Sequence, residues 1–182
     1  MTAATTERRA ASLEIRAKGR RLEGYAATFG TETRIGDRFD EVIMPGAFSA
    51  SLTARGDILA LVDHDPARVL ARTRSGSLRL SEDGHGLAFS LDVPDTTAGR
   101  DVLALAERGD LGGMSFGFAV RQGGESWQGD RRELRALDLF EVSIVSAFPA
   151  YPETSIAARA RLTNAPRLAI ARRHLELMEA TR

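Results

Sequence analysis

The chain has 182 residues, 43% hydrophobic and 27% charged, enough to bury roughly 70% of its unfolded surface in one domain, and that composition excludes wholesale disorder. Its 25 basic and 25 acidic side chains cancel, so no global field draws it to nucleic acid or an anionic membrane, and neither is expected as a direct partner. The absence of cysteine excludes a disulfide framework, a thiolate nucleophile and Cys-ligated zinc; with only the widely spaced His64, His85 and His174, no metal and no cofactor is expected.

In chain order, residues 1–11 are small and polar and predict a flexible N-terminal arm. They lack the apolar stretch of a secretory signal, and no later run is long enough to span a bilayer, so a cytoplasmic location is expected. "SLEIRA" and "RLEGYAATFG" alternate apolar and polar residues around "KGR", which predicts a hairpin. A turn-rich stretch follows, then a short helix over 45–54 between Pro45 and Gly56. "DILALVDHD" reads as a strand ending in charge, and "RVLARTRSGSLRLSEDGHGLAFSLDV" as consecutive strands with a turn at "EDGHG". Threonine caps and Gly109 bound a helix over 98–108. A strand over 112–121, the polar loop "QGGESWQGDRR" and one or two strands in "ELRALDLFEVSIVSAF" complete the body. Residues 157–182 shift to Ala and Arg and predict a helical C-terminal tail with a stripe of Leu168, Ala171, Leu175 and Met178. The stripe suits either packing on its own domain or docking on a partner. Many strands, few helices and no regular βα alternation predict a mainly β, α+β fold, an antiparallel barrel or sandwich with helices at its margins.

In the strand containing "GGMSFGF", Met114, Phe116 and Phe118 point to one face, and Ser115, Gly117 and Ala119 to the other. Small neighbours would leave an open groove above a nucleophilic Ser115, but the same pattern arises from close packing. His64, between Asp63 and Asp65, suits a general base or an ordinary surface histidine. Glu141 sits on a strand, on a face with Leu139 and Ser143, where a buried carboxylate needs a partner, histidine or arginine. Asp138 and Asp63 compete with it for that role, and His85 belongs to a glycine-rich turn.

Taken in order, "GYAATFG", "DEVIMPGAFSASL", "ILALVDHDPARVLART", the segment from "LRLSEDGHG" to "GDLGGMSFGF", and "LFEVSIVSAFPAYPET" resemble the prohead protease family of HK97-like tailed phages. The resemblance covers about residues 12–156, which it marks as the protease domain. It implies a herpesvirus assemblin-like antiparallel β-barrel flanked by helices, and a serine endopeptidase whose catalytic serine and histidine map onto Ser115 and His64. The third member maps onto Glu141, with His85 as the competing position. Arg131 and Arg132 match arginine-bearing loops only loosely.

By the same resemblance, the substrate is the scaffolding region of the major capsid protein, and the enzyme itself. The site of action is the interior of an assembling procapsid in the bacterial host cytoplasm. Self-association as a dimer and self-cleavage of the tail are further implications. The alternative of a different class is a non-catalytic scaffolding factor with the same fold.

Overall fold

Along Gly113–Val120 large and small side chains alternate, and this alternation sets the architecture. Met114, Phe116 and Phe118 enter the core, while Ser115, Gly117 and Ala119 turn to the opposite face. The computed structural model describes residues 6–11, 15–54 and 56–146. Among these the strands are β1 (Glu7–Ala11), β2 (Ile15–Lys18), β3 (Arg21–Thr28), β4 (Glu32–Ile35), β5 (Phe39–Ile43), β6 (Leu59–Val62) and β7 (Asp65–Arg72). They continue with β8 (Leu78–Glu82), β9 (Gly86–Asp92), β10 (Gly113–Val120), β11 (Glu125–Gln128), β12 (Arg131–Leu134) and β13 (Leu137–Val145); the helices are α1 (Ser49–Thr53) and α2 (Thr97–Arg108).

The strands form three sheets ordered β1-β10-β13-β6-β7, β11-β12-β5-β4 and β2-β3-β9-β8. The expected mainly β fold with flanking helices is what the chain adopts. Most pairings are antiparallel; β13–β6 and β12–β5 are parallel. One core joins all three sheets: Phe116 and Val142 of the first, Leu134 of the second, Leu22 and Leu91 of the third, with Phe48 and Val102 from the helical segments. Phe48 meets Phe116 edge-on at 5.4 Å, and Phe116 stacks on Phe118 at 5.3 Å.

Local signals place several elements well. Gly19, at φ +60°, sits in the two-residue turn between Lys18 and Arg21 that closes the β2–β3 hairpin. The Thr96 hydroxyl accepts from the Gly99 N–H at 3.1 Å, and Gly109, at φ +74°, ends α2 in a left-handed cap. Other elements differ from expectation. The turn-rich stretch forms β4 and β5, α1 begins at Ser49 rather than Pro45, and the polar loop contains the β11–β12 hairpin with Arg131 and Arg132 on β12. The expected C-terminal tail lies outside the described residues.

The largest departure is at the N-terminus. Residues 7–11 of the expected flexible arm form β1, antiparallel to β10, with Glu7 opposite Phe118 and Ala10 opposite Ser115; residues 1–5 lie outside the described residues. The cause is non-local. Arg9 donates to Glu41 at 2.5 and 2.7 Å, and Arg132 donates to Glu7 at 2.8 Å through two nitrogens and to Glu41 at 3.1 Å. These charges tie β1 to the second sheet while its backbone pairs with the first.

Candidate active site

Ser115 is fully buried and lies directly opposite Ser143 of β13. Its hydroxyl donates to the Arg9 carbonyl of β1 at 2.6 Å. Among the described residues the open groove predicted above Ser115 is therefore absent: β1 pairs along that edge of β10, and its Arg9 carbonyl accepts the hydroxyl's hydrogen bond.

Glu141 reaches the same face through a β-bulge. Gly117 pairs with Glu141, but the next residue, Phe118, pairs with Leu139, leaving Phe140 as the extra residue, 44% exposed. The bulge inverts the alternation, so Leu139 enters the core and Glu141 faces Ser143 and Gly117. The expectation that Leu139 and Glu141 share a face is corrected by this one residue. Gly117 makes the space, since a Cβ there would lie 2.6 Å from Glu141 Oε1. Gly117→Ala is accordingly expected to displace the carboxylate and lower any turnover by about tenfold to a hundredfold, with the thermal midpoint nearly kept; unchanged turnover would show that the position of Glu141 is unimportant.

His64 stands in a turn rather than at the end of a strand. Asp63 and His64 form the two-residue connection between Val62 and Asp65, with φ of +52° and +62°. Positive φ at both positions suits a type I′ hairpin, and Asp and His tolerate it better than most residues. The turn is fastened to the end of β13: Asp63 N–H donates to Ile144 O at 2.9 Å, and the Ser146 N–H and hydroxyl donate to Asp63 at 2.8 Å.

This anchoring directs His64 back onto Glu141, with Nδ1 2.6 Å from Oε1. Ser143 donates to Oε2 at 2.5 Å, and Arg8 Nε of β1 lies 3.6 Å from Oε1. A carboxylate only accepts, so a neutral His64 carries its proton on Nδ1 and presents an unprotonated Nε2. That Nε2 is buried without a hydrogen-bond partner among the described residues, an uncommon state that calls for a reason.

The structure thus joins His64 to Glu141 and puts Ser115 on the same sheet face, with its hydroxyl turned to β1. The competitors are engaged elsewhere. His85 is exposed and meets the Tyr25 ring edge-on at 4.5 Å, Asp138 pairs with Arg121, and Asp63 anchors its turn. Ser143 and the β1 contacts were not singled out by sequence reasoning. The i, i+2 spacing of Glu141 and Ser143 was the visible signal for the first, and no periodicity marks the second. Among the described residues no three His, Asp or Glu side chains converge as a metal-binding group.

Beside the site, burial works to raise the Glu7 carboxyl, but hydrogen bonds from Arg132 and Arg9 outweigh it and hold its pKa below the ordinary 4.5. Burial likewise opposes Arg132, yet Glu7, Glu125 and Glu41 raise it. A lowered folded pKa stabilises the charged form, so what Glu7 adds to β1 docking is complete above pH 4.5 and is lost as pH falls through the lowered value. NMR of the β1 amides should show docking unchanged between pH 7 and 5.5 and weakening below 4.5; weakening already near pH 6 would assign the docking to another group.

A hydroxyl and an imidazole oriented by a carboxylate are groups of the kind used for nucleophilic acyl transfer. Residues 6–167 match the Caudovirus prohead serine protease family, and the chain belongs to that family. It is similar to the prohead protease of Enterobacteria phage HK97, with 28% identity over 137 residues, covering 75% of this chain and 59% of that protein. The chain therefore spans about three-fifths of that relative's length. Its fold is similar to that of the bacteriophage T4 capsid assembly protease, with a TM-score of 0.53 and 10% identity over 78% of this chain and 96% of the other.

Proposed function

We propose that the chain is a serine endopeptidase of capsid maturation, cutting the scaffolding region of a major capsid protein inside the procapsid, with Ser115 as nucleophile, His64 as general base and acid, and Glu141 as the group that orients His64. The observation that carries this reading is the buried Nε2, without a hydrogen-bond partner among the described residues, of a histidine whose Nδ1 is held by Glu141.

Such a nitrogen is prepared to accept one proton. Ser115 Oγ attacks the substrate carbonyl carbon as its proton passes to His64 Nε2, giving a tetrahedral oxyanion. The C–N bond then breaks, and the imidazolium returns that proton to the leaving amine, which leaves an acyl ester on Ser115. Water attacks the ester, giving one proton to Nε2; on collapse the ester C–O bond breaks, that proton passes to Ser115 Oγ, and the carboxylic acid product leaves. Throughout, Glu141 keeps Nδ1–H oriented and stabilises the transient positive ring, while Ser143 holds its second oxygen. Before any of this the Ser115 hydroxyl must leave the Arg9 carbonyl.

The test is co-expression of the chain with its capsid protein. Shortened capsid subunits are expected with the unaltered chain and full-length subunits with Ser115→Ala; the same shortened subunit from both would refute the assignment. Activity on the enzyme's own chain and self-association as a dimer are parts of the same proposal, read from the masses of its termini and of the native particle.

A further inference from the structure

The edge of β10 is held by the chain's own N-terminus, through chemistry that another peptide can supply. Strand β1 adds to β10 in antiparallel register, engages the Ser115 hydroxyl with a carbonyl oxygen and lays Arg8 3.6 Å from Glu141. On its opposite face, Glu7 meets Arg132 through two hydrogen bonds of 2.8 Å, and Arg9 meets Glu41 at 2.5 and 2.7 Å. Arg132 and Glu41 are 7% and 3% exposed, and they come from β12 and β5, outside the sheet that β1 joins. Two buried opposite charges thus face an acid and a base two residues apart on β1.

We propose that this edge is the seat of the substrate strand, that β1 is its resident inhibitory occupant, and that Arg132 and Glu41 select extended peptides with an acidic residue two positions before a basic one. This rests on the protease reading above. Main-chain pairing gives affinity for any extended segment, and pockets for alternate side chains give the choice among them. A slip of one residue would turn the acid and the base towards Ser115 and leave Arg132 and Glu41 without their counter-charges. While β1 is seated, the Ser115 hydroxyl donates to Arg9 O and His64 Nε2 has no partner among the described residues. Displacement of β1 takes the Arg9 carbonyl away from the Ser115 hydroxyl and lets a substrate strand pair along the same edge.

The test uses the full chain carrying Ser115→Ala, so that nothing is cut, and the same chain with Glu7→Arg and Arg9→Glu added, which sets like charges against Arg132 and Glu41. A fluorescent peptide of residues 6–11, Thr-Glu-Arg-Arg-Ala-Ala, should bind the charge-reversed chain about tenfold or more tightly than the unreversed one, because the edge is then vacant. A peptide with its Glu and second Arg exchanged should bind about tenfold or more weakly. Where Ser115 is kept, reversal should speed fluorophosphonate labelling of Ser115 about tenfold or more. If the reversed chain fails to fold by circular dichroism, Glu7→Ala with Arg9→Ala takes its place with the same expectations. Equal binding of the two peptides, or equal binding and labelling with and without reversal, overturns the proposal. Peptide binding does not need Ser115, so the two readings fail separately. Peptide preference without labelling or capsid cleavage would keep the seat and remove the protease, and capsid cleavage without peptide preference would do the opposite.

Discussion

Ser115→Ala is expected to lower cleavage of the capsid protein about 10⁶-fold, the loss typical when a catalytic serine that acts as a unit with its base is removed. The fold should survive. Alanine fits the small face of β10 and forfeits one hydrogen bond to the Arg9 carbonyl, which costs about 1 kcal/mol in stability. A folded, inactive variant therefore separates chemistry from stability, and circular dichroism beside the capsid-subunit mass reads both. Activity reduced only a few-fold would mean that another group attacks the carbonyl.

Glu141→Gln is expected to reduce kcat about 10⁴-fold with KM little changed. The carboxylate accepts from His64 Nδ1 and so leaves Nε2 free to receive the serine proton. A carboxamide of the same shape offers an N–H2 to Nδ1 and favours the opposite tautomer, with the proton already on Nε2. Ser143 still has an oxygen to donate to, so packing is preserved. A fall in KM-linked binding with kcat intact would instead make Glu141 a substrate contact. Gly117→Ala acts on the same carboxylate by displacement, and its smaller loss should fall between Glu141→Gln and the unaltered chain.

The difference between what the residues announce and what the fold does is instructive at three places. The alternation in "MSFGF" correctly assigns the core face of β10, because strand periodicity is a local property. The face of Glu141 relative to Leu139 is not legible in the same way, because one bulged residue, Phe140, inverts every side chain after it, and a bulge depends on the partner strand. The segment "ERRAA" has no hydrophobic alternation and reads as a polar arm; its place as β1 is decided by Glu41, 32 residues from Arg9, and Arg132, 125 residues from Glu7. The ordered motifs point to Ser115, His64 and Glu141 together through family resemblance, whereas each residue taken alone has an ordinary structural explanation. Geometry adds what no motif carries: the Asp63–His64 turn that aims the imidazole, the Ser143 support for Glu141, and the strand lying along Ser115.

That strand also reconciles a sealed serine with a catalytic role. On the reading proposed above, with cleavage inside an assembling shell, a Ser115 covered by β1 is consistent with activity held back until a competing peptide reaches high local concentration. Backbone pairing with β10, the ion pairs of Glu7 and Arg9, and Arg9 lying over the Phe118 ring at 5.3 Å hold β1 in place.

The central claim is that Ser115 is the nucleophile activated by His64, and mapping the fluorophosphonate adduct by tandem mass spectrometry tests it most directly. A single adduct on Ser115 is expected, forming faster when β1 is charge-reversed and lost in His64→Ala. An adduct on a different serine, or capsid cleavage that proceeds with Ser115 unmodified and unmodifiable, would contradict it.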